Sequence, residues 1–271
     1  MTDAEAFLRA HVTPARAPLV PEITLYLATE ITPIWQATED WLHHSGLAPP
    51  FWAFAWPGGQ ALARHVLDHP ETVAGRRVLD FAAGCGIAAI ACARAGAALV
   101  EAADIDPIAA AAIALNAASN GVTVTPLTGD LVGAPAAWDL ILCGDVCYEA
   151  PMTRHILPWL RTLASTATVW IADPGRAYLP HDGLQAFARY TVPTTTELED
   201  RTERAVTLYR VMEQGQGAAL DPIRQEATST STRSASSVAM ISTASSPVIA
   251  APSRVPTATP LTVTAPVDGT R

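Results

Sequence analysis

The sequence predicts an α/β protein built on a mostly parallel sheet, and two observations carry that prediction. From residue 77 onward, short apolar runs alternate with alanine-rich stretches of helical length. Several of the apolar runs end in an aspartate, and a glycine turn follows the first of them. Such alternation is typical of a parallel sheet covered by helices on both faces. The acids at successive strand ends should then converge on one edge of the sheet, where such folds bind ligands.

The predicted elements before the glycine turn are helical, and proline and glycine set their limits. Pro49 and Pro50 separate the last two of these helices, and Pro57-Gly58-Gly59 marks the start of the last one. The predicted helices span residues 4–10, 21–30, 33–45 and 58–68.

The predicted elements after the turn alternate between strand and helix. Asp106 is the expected N-cap of one helix, and Pro107 suits its first helical position. The predicted strands span 77–81, 98–104, 122–126, 138–143, 167–172, 188–193 and 205–212, and the predicted helices span 86–95, 107–119 and 151–164.

Composition divides the chain into three predicted regions. Residues 1–75 form a helical N-terminal extension that helps to close the site, and residues 76–213 form the core. Residues 214–271 are rich in Ser, Thr, Ala and Pro and contain no aromatic residue. Such a segment buries too little apolar surface to offset the entropy of ordering it, so we expect a disordered tail. A frameshifted or read-through end is the alternative.

The bulk composition restricts the function classes. The 271 residues carry a net charge of −9, which argues against a nucleic-acid partner. The four cysteines form no CxxC pair, so buried reduced thiols are expected, and the histidines show no metal-ligand spacing. The acidic N-terminus lacks the features of a signal peptide, and charges interrupt the alanine-rich region. We therefore expect a cytoplasmic monomer with no membrane partner and no metal.

The glycine turn fits two cofactor classes. Gly84, Gly86 and Ala89 match a dinucleotide fingerprint, and Asp104 lies where a ribose-binding acid belongs. The strand-tip acid Asp80, however, would face a pyrophosphate unfavourably, and the chain contains no lysine. A cleft lined by acids favours a cationic nucleotide instead, which indicates S-adenosylmethionine.

Three acids have expected roles at this cofactor. Asp80 would receive the α-ammonium group, directly or through water. Asp104 would accept hydrogen bonds from the two ribose hydroxyls. Asp130 would contact the adenine amino group, with an ordinary surface acid as the alternative.

The motifs together resemble a known family. Residues 78–86, Asp104 and Asp130 resemble the cofactor motifs of the class I (seven-strand) methyltransferases. Asp145-Val146-Cys147-Tyr148 resembles the Asp-x-x-Tyr motif of a group of protein lysine methyltransferases. Further segments are similar to the lysine methyltransferases of the electron transfer flavoprotein β subunit, namely residues 50–62, 103–109, 144–148 and 172–176. Ala82-Ala83 departs from the Gly/Ser sequence more usual in this loop, and an Asn-Pro-Pro-Tyr motif is missing.

The resemblance implies a Rossmann-like, seven-stranded core that methylates lysine ε-amines of the flavoprotein β subunit. It implies that Asp145 lies at the cofactor and orients the amine, and that Tyr148 walls the amine channel, with a plain core aromatic as the alternative for Tyr148. Trp56 would pack on the cofactor.

Three further residues are expected near the protein substrate. Trp52 and Phe54 would line the substrate channel, although either also suits a core position. Arg176 would bind an acidic residue near the target lysine, with an ordinary turn as the alternative. Three other functions stay open: a ribosomal-protein lysine methyltransferase, an NAD(P)-dependent oxidoreductase, and a binding module that only retains the fold.

Overall fold

The computed structural model describes residues 3–28 and 50–213. The predicted helix over 33–45 and the predicted tail over 214–271 lie outside the described residues.

A seven-stranded sheet forms the centre of the fold, with the strand order β5-β4-β3-β6-β7-β9-β8. The five strands from β5 to β7 are parallel, and β9 runs antiparallel to both β7 and β8. The mostly parallel α/β sheet predicted from the sequence is therefore confirmed. The strands are β3 (Arg77–Phe81), β4 (Leu99–Asp104), β5 (Thr125–Thr128), β6 (Leu140–Gly144), β7 (Thr168–Asp173), β8 (Leu184–Pro193) and β9 (Glu203–Val211).

Helices cover the sheet and begin where the sequence supplies starting signals. The Asp106 carboxylate accepts a hydrogen bond from the Ile108 amide at 2.8 Å, which confirms its predicted N-cap role. The helices are α1 (Asp3–His11), α2 (Pro57–Asp68), α3 (Ile87–Arg94), α4 (Pro107–Ser119), α5 (Ala150–Leu163) and the short α6 (Thr196–Glu199).

The helix predicted over residues 21–30 is wrong, because a β-hairpin occupies this part of the chain. Strands β1 (Thr13–Ala17) and β2 (Val20–Leu27) pair antiparallel. Ile23, Leu25 and Leu27 alternate with more exposed residues, so β2 buries one face. That period of two is the signature of a half-buried strand, and it outweighs the helical reading of this segment. The N-terminal extension is therefore helical only in part.

Two asparagines, one in α4 and one directly after it, hold the hairpin. Asn120 Oδ1 accepts from the Thr24 amide at 3.0 Å, and Asn116 Oδ1 accepts from the Tyr26 amide at 2.7 Å. Asn116 is fully buried, and its Nδ2 also donates to the carbonyl of Cys85 at 2.9 Å. One side chain thus joins the hairpin to the glycine turn.

The buried apolar side chains of the described residues form three clusters, and the largest of them unites β2 and α2 with the sheet. Buried residues of β2 and α2, such as Ile23 and Leu62, belong to the same cluster as Val78 of β3 and Leu142 of β6. All four cysteines are buried free thiols, as predicted. Within the described ranges, no helix is both long enough and apolar enough to cross a membrane.

Candidate active site

A cavity of about 630 Å³ opens at the carboxyl edge of the parallel strands. All five parallel strands contribute residues at or just beyond their ends, as expected for a ligand site in this architecture. Of the residues predicted for the site, eight line this cavity: Trp52, Trp56, Gly84, Asp104, Asp130, Asp145, Tyr148 and Arg176.

The glycine turn needs left-handed backbone at three positions. Gly84 has a φ of 53°, and Gly86, with a φ of 75°, is the N-cap residue of α3. Glycine adopts such angles without steric cost. Ala82, which also lines the cavity, has a φ of 55°. The alanine that replaces the more usual Gly or Ser of this loop therefore carries its side chain on strained backbone.

Backbone amides hold the Asp104 carboxylate at the end of β4. Its Oδ2 accepts from the Gly84 amide at 2.9 Å, and its Oδ1 accepts from the Asp106 amide at 3.1 Å. Each oxygen keeps a second lone pair for a ligand hydroxyl. Burial raises the pKa of Asp104, and the amide hydrogen bonds oppose that shift.

Asp130 lies at the rim of the cavity and has two partners. Its Oδ1 accepts from the Val132 amide at 2.9 Å, and its Oδ2 accepts from His155 Nε2 at 2.6 Å. The Val132 amide, followed by His155, lowers the pKa of this carboxyl. His155 also lines the cavity, and sequence reasoning did not find it.

Asp80 and Phe54 lie beside a second, smaller cavity of about 30 Å³. The two cavities share lining residues, among them Trp56 and Gly84. Asp80 is buried, and its Oδ2 accepts from the Ala89 amide at 2.9 Å. Burial raises the pKa of Asp80 to about 7. A space of this size holds one or two small polar groups, such as a water or an ammonium group.

Asp145 follows β6 and is the most constrained acid of the site. Its backbone is left-handed, with a φ of 54°, and its side chain is buried. Its Oδ2 accepts from the Gly58 amide at 2.5 Å, and its Oδ1 accepts from Arg176 Nη2 at 3.1 Å. Burial raises its pKa to about 6, although Arg176 opposes the shift. Strained backbone of this kind is typical of functional positions.

The start of α2 lies directly against the end of β6. A Cβ added to Gly58 would approach the Ala172 carbonyl oxygen to 2.7 Å, and one added to Gly144 would approach the Gly59 amide nitrogen to 2.8 Å. Both distances are too short for real Cβ atoms. Only glycine therefore permits the approach that brings the Gly58 amide to Asp145.

Arg176 lines the cavity, but its guanidinium is engaged within the protein. Besides Asp145, it donates to Glu199 at 2.5 Å from Nη2 and at 3.2 Å from Nη1. The Glu199 side chain is 1% exposed and also accepts from Arg204 Nε at 2.8 Å. No local sequence signal pointed to Glu199, since it lies in a short helix remote from the motifs.

Aromatic side chains form one wall of the cavity. The Phe51 ring lies 5.5 Å from that of Tyr148 and 5.8 Å from that of Trp56, between ring centroids. The Trp56 indole donates to the Phe51 carbonyl at 2.8 Å. Burial raises the pKa of Tyr148 to about 12. Trp52 is almost fully buried; it lines the cavity and also belongs to a core cluster.

Sheet order, glycine turn and strand-end acids together define a class I S-adenosylmethionine-dependent methyltransferase. Sequence comparison agrees, since the family profile described as "Ribosomal protein L11 methyltransferase (PrmA)" matches residues 61–144. Among solved structures, magnesium protoporphyrin IX methyltransferase from Synechocystis PCC 6803 with bound SAM is similar, with 22% identity and a TM-score of 0.44. This similarity covers 56% of the present chain and 79% of that one.

Curated relatives narrow the class. The electron transfer flavoprotein beta subunit lysine methyltransferase of Danio rerio is 41% identical over 191 residues, which cover 67% of this chain and 72% of the relative. The Xenopus laevis protein of the same name is 40% identical, over 73% of this chain and 83% of its own length. The chain belongs to the electron transfer flavoprotein beta subunit lysine methyltransferase family. It is accordingly an S-adenosylmethionine-dependent protein-lysine N-methyltransferase.

Proposed function

We propose that this enzyme methylates lysine side chains of the electron transfer flavoprotein β subunit. The observation that carries the proposal is the similarity to relatives that bear this substrate in their names, at 40–41% identity over about two thirds or more of each chain. The predicted cytoplasmic location and monomeric state are kept as parts of this proposal.

The chemistry of the cavity fits S-adenosylmethionine. Carboxylates dominate its polar lining, which suits a ligand carrying a sulfonium and an ammonium group. In the proposed arrangement, Asp104 accepts from the ribose hydroxyls and Asp130 accepts from the adenine amino group. Gly84 lets the backbone approach the ligand, and Trp56 packs against it. Gly86, which was also predicted to bind the cofactor, lines neither cavity, and its missing Cβ makes room for the Ile113 side chain. When bound, the sulfonium supplies an activated methyl group.

The smaller cavity supports a place for the methionine end of the cofactor. Asp80 would accept from the α-ammonium group directly or through one water there. The buried carboxyl has a pKa of about 7, so a neighbouring cation would favour its ionised form.

Asp145 and Tyr148 are proposed to act on the target amine. A lysine has a pKa near 10.4 in solution and must lose a proton before it attacks a methyl group. An acid next to an ammonium stabilises the charged form, so Asp145 orients the amine rather than lowering its pKa. Removal of water from the closed site disfavours the charged amine and promotes loss of the proton. Tyr148 bounds the channel and offers its hydroxyl to the amine.

The substrate proposal is tested with tritiated S-adenosylmethionine and purified flavoprotein β subunit. Wild-type enzyme should label the β subunit at lysine, and the enzyme itself should take up no lysine label because it contains none. Asp145→Asn should reduce kcat by about 100-fold, the usual order for a group that orients a reacting atom, while cofactor affinity stays within a few-fold. Tyr148→Phe should cost less. Full turnover by Asp145→Asn would refute the assigned role.

A ribosomal-protein substrate is the second candidate, since residues 61–144 match the profile of ribosomal protein L11 methyltransferases. The same labelling on whole lysate separates the two: label on ribosomal proteins with none on the β subunit would establish the second candidate. Thermal shift with S-adenosylhomocysteine or NAD tests the cofactor, since stabilisation by NAD alone would favour the oxidoreductase reading.

A further inference from the structure

A chain of ion pairs connects Asp145 to the β8–β9 connection. Arg176 Nη2 donates both to Asp145 Oδ1 at 3.1 Å and to Glu199 Oε1 at 2.5 Å. Arg176 Nη1 donates to Glu199 Oε2 at 3.2 Å. The guanidinium thus donates hydrogen bonds from two nitrogens to Glu199 and from one nitrogen to Asp145. Both terminal nitrogens of this guanidinium are therefore engaged within the protein, whereas its Nε is buried without a hydrogen-bond partner among the described residues.

Glu199, the last residue of the short helix α6, is held by a second arginine besides Arg176. Arg204 donates to its carboxylate at 2.8 Å from Nε and to its backbone carbonyl at 2.9 Å from Nη2. Arg204 Nη2 also donates to Asp200 Oδ1 at 2.9 Å. Burying these charges is costly, and the pairing at best offsets that cost, so fold stability alone is a weak reason for the network.

We propose that Glu199, acting through Arg176, is a positioning residue that fixes the orientation and charge of the Asp145 carboxylate. The short helix α6 is then part of the active site, although it contributes no residue to the cavity wall. This inference rests on the proposed role of Asp145 in orienting the amine. It gives Arg176 an internal task in place of the substrate contact predicted from the sequence.

The groups that face Asp145 make the inference testable by pH. Within residues 3–28 and 50–213, Arg176 and Glu199 are the charged groups that act on Asp145. Helix α2 contributes the Gly58 amide, and the Cys147 thiol lies on the same loop. Arg176 lowers the pKa of Asp145, whereas Glu199 raises it. Loss of Arg176 should therefore raise this pKa above its value of about 6, and loss of the Glu199 charge should lower it.

The experiment measures kcat/KM against pH for wild type, Arg176→Gln and Glu199→Gln with flavoprotein β subunit. Log kcat/KM should rise with pH because the substrate lysine must lose a proton. Below the pKa of Asp145 the rise should be steeper, because this carboxyl must then also lose its proton. We expect the pH at which the slope changes (the break) to be higher in Arg176→Gln and lower in Glu199→Gln. A displacement of one pH unit changes kcat/KM about tenfold at low pH.

Arg64→Gln is the matched control, since Arg64 also joins two carboxylates, those of Glu22 and Asp68, on a different part of the surface. Its pH profile should equal that of wild type. S-adenosylhomocysteine affinity and thermal unfolding verify that each variant is folded. Arg204→Gln leaves Arg176 in place and removes hydrogen bonds that hold Glu199, so it tests the position of Glu199 in a second way.

Three outcomes would overturn the inference. One is a break at the wild-type pH in folded Arg176→Gln and Glu199→Gln. Another is a shift in the same direction in both variants. The third is a raised KM in Arg176→Gln with an unchanged pH profile, which would restore the substrate contact. Full activity in Asp145→Asn would refute the proposed role of Asp145 itself. Reduced activity in Asp145→Asn together with one of the three outcomes above would refute only the positioning role of Glu199.

Discussion

The two sides of the cavity hold their carboxylates in different ways. On the side proposed to bind the cofactor (the cofactor side), Asp80, Asp104 and Asp130 accept hydrogen bonds from backbone amides close by in the chain or in the adjoining turn, although Asp130 also accepts from His155. On the side proposed to bind the target amine (the amine side), Asp145 depends on Gly58 and Arg176, which come from α2 and from the segment after β7. Local amides give a carboxylate a fixed place whatever packs around it. Asp145 instead requires several distant elements to assemble correctly, so we expect the amine side to be the more fragile.

The largest effect should follow from breaking the cofactor side at Asp104. Asp104→Ala removes a charged acceptor proposed for both ribose hydroxyls, which should cost about 2–4 kcal/mol, or about 30–1000-fold in S-adenosylmethionine affinity. Calorimetry measures the affinity. Asp139→Ala is the control, since this exposed acid pairs with Arg77 and does not line the cavity. Wild-type affinity in folded Asp104→Ala would remove Asp104 from the site.

Next in size is the effect of Gly58→Ala on the amine side. The added Cβ would clash with the Ala172 carbonyl and with the Asp145 carboxylate, so the Gly58 amide must withdraw from Asp145. We expect kcat to fall by about 100-fold, equivalent to about 2.7 kcal/mol, with cofactor affinity affected less. Gly59→Ala is the matched control, because among the residues that the structure describes its Cβ would meet only the Ile87 side chain, at 3.2 Å. Equal losses in both variants would contradict the specific contact.

The buried acid Asp80 should make the cofactor-free protein less stable as pH rises. Its pKa is about 7 when folded and near 4 when unfolded. Between these values the folded state keeps a proton that the unfolded state releases, so the contribution present at pH 4 is lost as pH approaches 7. Asp80→Asn should lack this decline. In wild type we expect the free energy of unfolding to fall by about 1–2 kcal/mol over this pH range, because the adjoining cavity has room for a water that partly solvates the carboxylate.

Urea unfolding at several pH values between 4 and 8 measures this decline. Asp106 and Asp145, whose pKa values are also raised by burial, contribute in the same direction in both proteins. The difference between wild type and Asp80→Asn therefore isolates Asp80. Parallel pH curves for the two proteins would show that Asp80 does not titrate in this range.

The smallest effect should come from Ala82→Gly in the glycine turn. Glycine relieves the left-handed strain of about 1 kcal/mol at this position but increases the entropy of the unfolded chain by a similar amount. Stability should therefore change by less than about 1 kcal/mol. Ala83→Gly lacks the compensating relief and should be destabilised by about 0.4–1 kcal/mol. If thermal unfolding ranks the two variants in the opposite order, the strain at Ala82 is not real.

The contrast between the two sides also explains what could be predicted from the sequence. Strand β3 and helix α4 begin and end at the predicted residues, because an apolar run and a capping Asp-Pro pair act locally. The strand-end acids converge as parallel topology requires. The alternation of apolar and more polar residues along β2 is also a local signal, and it was sufficient to predict a strand there.

The remaining features could not be predicted because their partners are distant in the chain. Nothing near Glu199 indicates that it binds Arg176, and nothing near Asn116 indicates that it joins the hairpin to the Cys85 carbonyl. Likewise, the pairing of His155 with Asp130 depends on how α5 packs against the segment that follows β5. Such contacts become visible only when the fold brings the elements together.

The close approach of α2 to β6 limits how this site can vary. At Gly58 and Gly144 the obstacles to a side chain include main-chain atoms, and main-chain atoms cannot be made smaller by a second substitution. A library randomised at both positions should therefore yield active clones with glycine at both, and no compensating pairs. In an alignment of chains that keep this site, the two positions should be invariant and so give no covariation signal, although they face each other directly.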